Sequence, residues 1–296
     1  MSQGHAISPS SQNKKRLMFV LGFTLLYLLA EVIGGIWTKS LALLADAGHM
    51  LTDVGGLVFA LIAINLAEKK ATPEKTYGYY RAEILAALAN AVVLIGISLY
   101  ILYEAYLRFL NPPEVESKFM LVIAGVGLVV NLIGMYILRK GSKDSLNMKG
   151  AYFEVLSDML TSIGVIAAGI IMWTTGWYYA DPILSAGIGL FILPRTWILL
   201  KEAVDILLEG TPADVNLAVV RETLQKIPGV TQVHDLHVWT LTSGINAMSA
   251  HVVIEEQTTP NQVLKAINDQ VKEPFKIKHT TIQVENEGYE EQEIHL

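Results

Sequence analysis

The sequence predicts a membrane all-α bundle of six transmembrane helices followed by a C-terminal cytoplasmic α/β domain. Three observations carry this. First, hydrophobic residues make up 52% of the 296 positions and charged residues 17%, against about 25% charged in an average soluble domain. With a mean hydropathy of +0.41, the chain lacks the charge to cover a soluble surface. Second, six apolar stretches approach or exceed the ~20 residues needed to cross hydrocarbon. Third, residues 1–210 hold 16 Lys plus Arg against 16 Asp plus Glu, whereas residues 211–296 hold 6 against 12. The net charge of −6 therefore lies wholly in the last 86 residues.

The expected spans are residues 17–38, 41–67, 84–103, 119–138, 151–173 and 182–200. The last is interrupted by Pro194 and Arg195 and continues toward Leu208. The apolar stretch after Lys14, Lys15 and Arg16 is too long for a signal peptide and lacks a small-residue cleavage site, so it reads as an anchor. Lys and Arg in the loops set orientation. Lys14, Lys15, Arg16, Lys69, Lys70, Lys75, Arg81, Arg139, Lys140, Lys143 and Lys149 fall on one side, and Lys39, Arg108 and Lys118 on the other. Eleven against three places both termini in the cytoplasm.

In the tail, residues 214–227 have helical spacing and stop at Pro228-Gly229. Residues 230–241 and 245–255 are β-branched or alternating runs around Thr242-Ser243-Gly244, a hairpin pattern. A helix over 260–271 and a strand over 278–284 complete a small sheet covered by helices on one side. The expected division is 1–13 as a disordered cytoplasmic N-terminus, 14–210 as the membrane domain, 211–285 as the cytoplasmic domain and 286–296 as a disordered tail.

The composition excludes several functions. With no cysteine there is no disulfide framework, thiol nucleophile or thiolate metal ligand. An acidic tail argues against a nucleic-acid partner, because phosphate binding needs a basic face.

Charged groups inside a span cost on the order of 3 kcal/mol each on insertion scales, so they need partners or a role. Spans two and five concentrate them. His49 and Asp53 are spaced i, i+4, as are Glu154 and Asp158, and that spacing sets each pair on one helix face. Two such faces offer one imidazole and three carboxylates, enough for a four-coordinate divalent cation. Asp46 lies on the same stripe, one turn from His49. The runs His49-Met-Leu-Thr-Asp53 and Glu154-Val-Leu-Ser-Asp158 also resemble each other three spans apart, as internal repeats of transporters do. A single intramembrane Asp or His is often a packing hydrogen-bond partner. Four in two registered pairs are harder to explain that way.

Elsewhere, Glu31 and Glu104 read as interfacial or structural, and Asn90 and Asn131 as interhelical hydrogen-bond partners. Arg81 at the start of span three could pair with Glu209 where span six meets the tail and set how the two parts move; two unrelated solvated charges are the alternative. In the tail, His234, His251 and Glu285 could form a regulatory metal site, the alternative being ordinary surface histidines. Strand alternation puts His234 and His237 on opposite faces.

These residues also carry a resemblance. Ser40–Asp53 (SLALLADAGHMLTD), Tyr77-Gly-Tyr-Tyr-Arg81-Ala-Glu83, Gly150–Asp158 (GAYFEVLSD), Asp181-Pro182, Leu208-Glu209-Gly210 and His234–Trp239 (HDLHVW) are similar to the cation diffusion facilitator family over residues 16–285, on the branch of cobalt–zinc–cadmium resistance exporters of bacteria. The resemblance implies a homodimer of six-span subunits in lipid, in the bacterial inner membrane, with a ferredoxin-like, metallochaperone-like cytoplasmic domain. It also implies export of Zn2+, with Cd2+ or Co2+ as further cargo, in exchange for H+, and no enzymatic activity. The family's transport site falls on His49, Asp53, Glu154 and Asp158. Glu154 stands where zinc-selective relatives often carry His, which leaves room for cobalt or cadmium. The loop 68–77 has no histidine, and no histidine-rich run lies between spans four and five.

Two other functions are alternatives to transport. A metal sensor on a passive anchor would use the tail alone. An intramembrane metallohydrolase would need a His-Glu-x-x-His run, which the sequence does not contain.

Overall fold

The computed structural model describes residues 9–51, 54–55, 71–139, 146–242 and 244–288. The elements in order are α1 (Pro9–Thr38), α2 (Leu41–Leu51), α3 (Arg81–Leu110), α4 (Ser117–Leu138), α5 (Leu146–Thr175), α6 (Ala180–Leu207), α7 (Leu217–Gln225), β1 (Val230–Thr242), β2 (Ile245–Ile254), α8 (Pro260–Lys272) and β3 (Ile277–Asn286). Among the described residues five helices are long and apolar enough to cross a membrane: Met18–Thr38, Ala82–Leu110, Ser117–Leu138, Val155–Thr175 and Ala180–Leu207. Helix α2 is the start of the expected second span, whose remainder lies mostly outside the described residues. Pro194 sits inside α6 without ending it, so the interrupted sixth span is one helix.

Residues 9–13 differ from expectation, since they open α1 rather than forming a disordered lead. Proline suits a first helical turn, where its missing N–H removes no bond, and the long apolar span behind it propagates the helix. At the other end β3 extends to Asn286.

The described residues fall into two compact units, one drawn from 1–59 and 89–199, the other from 60–88 and 200–296. In the first unit, apolar side chains point outward: Tyr136 is 79% exposed and Phe191 73%. Faces this apolar are stable only against lipid. Helices pack where side chains are small. Gly127 of α4 lies directly against the Tyr27 hydroxyl of α1, and a β-carbon there would overlap it. Gly48 of α2 likewise admits Ile97 of α3. Asn131 Nδ2 donates to Ser162 Oγ at 3.4 Å, joining α4 to α5 as the sequence suggested.

The second unit holds the sheet, in order β1-β2-β3. β1 and β2 are antiparallel, and β2 and β3 are parallel, the α8 crossover making the parallel pairing feasible. Val220 and Leu224 of α7 and Val263, Ile267 and Val271 of α8 bury against Val233, Val238, Met248, Val252 and Ile254 of the sheet. α7 begins at Leu217 rather than 214 because Asn216 is its cap, the Oδ1 accepting from Ala218 N at 2.9 Å and Val219 N at 3.4 Å. Within this unit Arg81 Nη2 donates to Glu209 Oε1 at 2.8 Å. The Thr242 hydroxyl donates to Glu83, and the rings of Tyr77 and His279 meet edge-on.

Candidate metal centres

The first centre is built on α2 and α5. His49 sits two turns into α2, and Asp158 on the face of α5 turned toward it. His49 Nε2 and Asp158 Oδ1 are 3.7 Å apart, with the side chains 11% and 6% exposed. An imidazole and a carboxylate from helices over a hundred positions apart are thus joined in a buried setting. Protonated, the ring forms a salt bridge; neutral, both groups offer lone pairs to a cation. Asp53 lies outside the described residues. Glu154 is in α5 one turn from Asp158, and its side chain is likewise outside what the structure describes.

The position of α2 is fixed by a buried network that the sequence reading did not find. Asp181, at the start of α6 and fully buried, reaches the N-terminus of α2. Its Oδ1 accepts from Ser40 Oγ at 2.7 Å and Ala42 N at 3.1 Å, and its Oδ2 from Leu41 N at 2.8 Å. Ser40 Oγ in turn accepts from Leu43 N at 3.2 Å. A carboxylate from another helix thereby satisfies the orphan amides of α2, favoured by the positive end of the helix dipole. Arg108 Nη1 stands 3.6 Å from Asp181 Oδ2, donates to Lys39 O at 2.6 Å, and through Nε bonds Glu104 at 2.9 Å. Glu104 is thus one turn from its partner. The available signal was Asp181-Pro182, an acidic residue and a proline together at a helix start.

The second centre lies on the sheet. His234 Nε2 is 3.1 Å from Glu285 Oε2, and His251 Nδ1 is 3.1 Å from Glu285 Oε1. One ligand atom from each of the three lies within 4.8 Å of the others. Glu285 is buried, and the histidine side chains are 21% and 18% exposed. His234 pairs with His251 across β1 and β2, and their rings meet edge-on at 5.2 Å.

The expectation that His234 and His237 face opposite sides is corrected here. His234 pairs with His251 but His237 with Ser249; three steps on β1 match two on β2, a β-bulge. Asp235 absorbs the extra residue with φ of +45°. The bulge resets the alternation, so both histidines lie on the face away from the core. Asp235 then joins the cluster unforeseen: its Oδ1 is 2.8 Å from His237 Nε2 and its Oδ2 is 3.5 Å from His251 Nε2. The hydrogen bond from His237, with the nearby histidine charges, holds the Asp235 carboxyl below the usual range.

Comparison with known proteins accords with this architecture. Residues 17–208 match the family model described as the cation efflux transmembrane domain, and 212–287 match that of the cation efflux protein cytoplasmic domain. The metal cation efflux system protein CzcD of Cupriavidus metallidurans is 49% identical over 96% of this chain and 90% of its own length. A cadmium, cobalt and zinc/H(+)-K(+) antiporter of Bacillus subtilis is 45% identical over 94% and 90%. The zinc transporter ZitB of Escherichia coli is 39% identical over 100% and 95%. By the two model matches and these full-length relatives, the chain is a multi-pass membrane protein of the cation efflux family, the cation diffusion facilitators.

Proposed function

We propose that this chain exports divalent metal cations from the cytoplasm in exchange for protons, with Zn2+ as principal cargo and Cd2+ and Co2+ also carried. The observation that carries this reading is the His49–Asp158 approach of 3.7 Å between α2 and α5, with Glu154 one turn from Asp158 on α5 and Asp53 four positions after His49 in the sequence. The names of the relatives, all metal transporters, support it. One imidazole and three carboxylates suit a tetrahedral ion, and a site this rich in oxygen is harder than one with a second imidazole, which widens the cargo.

Exchange follows from the ligands. They hold metal only when deprotonated, so metal entry releases protons and protonation releases metal. In this reading the site opens to the cytoplasm, loads, and rocks to the other face, where protons displace the ion. The working form is a homodimer in the bacterial inner membrane with both termini cytoplasmic, residues 14–210 spanning and 211–285 inside. The chain catalyses no covalent chemistry.

His234, His251 and Glu285 are the proposed regulatory site on the cytoplasmic sheet, with Asp235 alongside. Their two imidazoles and one carboxylate are a donor set fit for Zn2+ with a fourth position open. Arg81–Glu209 is the proposed coupling pair. Its partners are 37% and 61% exposed, and such a pair contributes about 0–1 kcal/mol, a contact weak enough to break and re-form during a cycle.

Uptake of zinc, cadmium and cobalt into inverted vesicles tests the reading. Expected is uphill accumulation that collapses with the pH gradient and is absent in Asp158→Asn. Accumulation that survives both changes refutes it, and a chain that binds metal without moving it is a sensor instead.

A further inference from the structure

The first unit holds a second group of buried oxygens that the metal ligands do not use. Glu31 of α1 and Asp46 of α2 are 0% and 1% exposed, and Tyr27, one turn before Glu31, is 3%. Tyr27 and Leu28 of α1 share a buried cluster with Ala47 and Met50 of α2, and Asp46 and Tyr27 act on the Glu31 carboxyl. Both Glu31 oxygens, Asp46 Oδ1 and the Tyr27 hydroxyl are shut off from solvent with no hydrogen-bond partner. Among the described residues no lysine or arginine pairs with either carboxyl.

The neighbouring helices bring no compensating charge among their described residues. From α2, His49 is three positions beyond Asp46, and Leu28 of α1 packs with Ala47 and Met50. From α5, Asp158 is a more distant negative charge, and Ser162 approaches Tyr27. From α4, the backbone at Gly127 receives Tyr27, and the helix has no ionisable residue between Lys118 and Tyr136. From α3, apolar Ile97 and Ile101 face α2 at Gly48. No described cation faces the pair.

We propose that Glu31 and Asp46 jointly bind one proton and form a counter-ion site separate from the metal ligands. The inference rests on the transport reading above for its role, though not for its chemistry. Two carboxylates side by side in an apolar interior repel when both are ionised. One proton turns two acceptors into a donor and an acceptor, and the resulting O–H···O⁻ bond is among the strong charge-assisted kind. The step balances simply: the Glu31–Asp46 pair with its shared proton gives two carboxylates and one proton, which passes to water on the side where the helices part. Asp46 rides on the helix that carries His49, so a movement of α2 that separates Asp46 from Glu31 releases the proton as it carries the metal site along.

The test uses the full chain in lipid, with Glu31→Gln and Asp46→Asn. Infrared spectra of the wild type are expected to show a protonated-carboxyl carbonyl band that each substitution removes, since the new amide donates to the surviving carboxylate. In vesicles carrying a pH-sensitive dye, each variant is expected to move one proton fewer per zinc ion while still carrying zinc downhill. A carboxyl band unchanged in both variants overturns the proposal, as does an unchanged proton-to-zinc ratio in a variant that still carries zinc. A wild type that shows the band and moves no metal upholds the proton site and refutes the transport reading instead.

Discussion

Replacing Asp181 with alanine is expected to be among the most damaging single changes in the membrane unit. The substitution removes three hydrogen bonds to the start of α2, from Ser40 Oγ, Leu41 N and Ala42 N, and strips Arg108 of one of its two carboxylates. Hydrogen bonds to a charged acceptor contribute about 1.5–3 kcal/mol each. They are not additive, and α2 would recover part of the loss by fraying. Breaking a buried charged contact costs about 3–5 kcal/mol when one partner is left uncompensated. Arg108 keeps Glu104 at 2.9 Å and Lys39 O at 2.6 Å, so the lower end applies and about 3 kcal/mol is expected. Asp181→Asn keeps one acceptor oxygen and should lose roughly half of that. The assay is thermal unfolding of the purified chain in detergent, with zinc transport alongside. Asp181→Ala should show the lower midpoint and Asp181→Asn an intermediate one, with transport falling in the same order because His49 rides on α2. An Asp181→Ala protein as stable as the parent would refute the view that this carboxylate anchors the helix.

Other substitutions separate the remaining elements. His49→Ala and Asp158→Asn should abolish metal transport, with the thermal midpoint held within a few degrees, as followed in vesicles and by unfolding. Glu154→His should favour zinc over cadmium and cobalt in competition uptake, because an imidazole replaces a hard oxygen donor. Glu285→Gln should weaken zinc binding to the cytoplasmic centre by at least about tenfold by calorimetry on the full chain, since it withdraws the carboxylate shared by both rings. Arg81→Ala should change stability by less than about 1 kcal/mol, given the exposure of the pair. Gly127→Ala should cost about 1–3 kcal/mol by overpacking against Tyr27, read as a lower unfolding midpoint that Tyr27→Phe partly restores.

Much of the architecture was legible because a bilayer is a severe solvent. Runs of apolar residues long enough to cross it have few alternative fates, and the helices α1 and α3–α6 appear where hydropathy put them. The cytoplasmic elements followed from strong punctuation: Pro228-Gly229 closes a helix, Gly244 turns the hairpin with φ of +73°, and Pro260 opens α8. His49 and Asp158 were legible as members of one candidate cluster because ionisable groups in hydrocarbon demand an explanation, although the dyads the sequence offered were His49 with Asp53 and Glu154 with Asp158. What escaped was chemistry decided by tertiary approach. Asp181 caps a helix 140 residues away, and no local pattern announces that. The face of His237 turned on a bulge at Asp235, which strict alternation cannot foresee. Glu31 read as interfacial or structural, and its distance from the helix end says nothing of Asp46 on the neighbouring helix.

X-ray absorption at the zinc edge, on a His234→Ala, His251→Ala chain loaded with one equivalent of zinc, tests most directly whether His49, Asp53, Glu154 and Asp158 converge on one ion. Expected is a four-coordinate shell of one imidazole and three oxygens at about 2.0–2.2 Å, with the imidazole signal lost in His49→Ala. A shell with two or more imidazoles, or one that His49→Ala leaves unchanged, would contradict it.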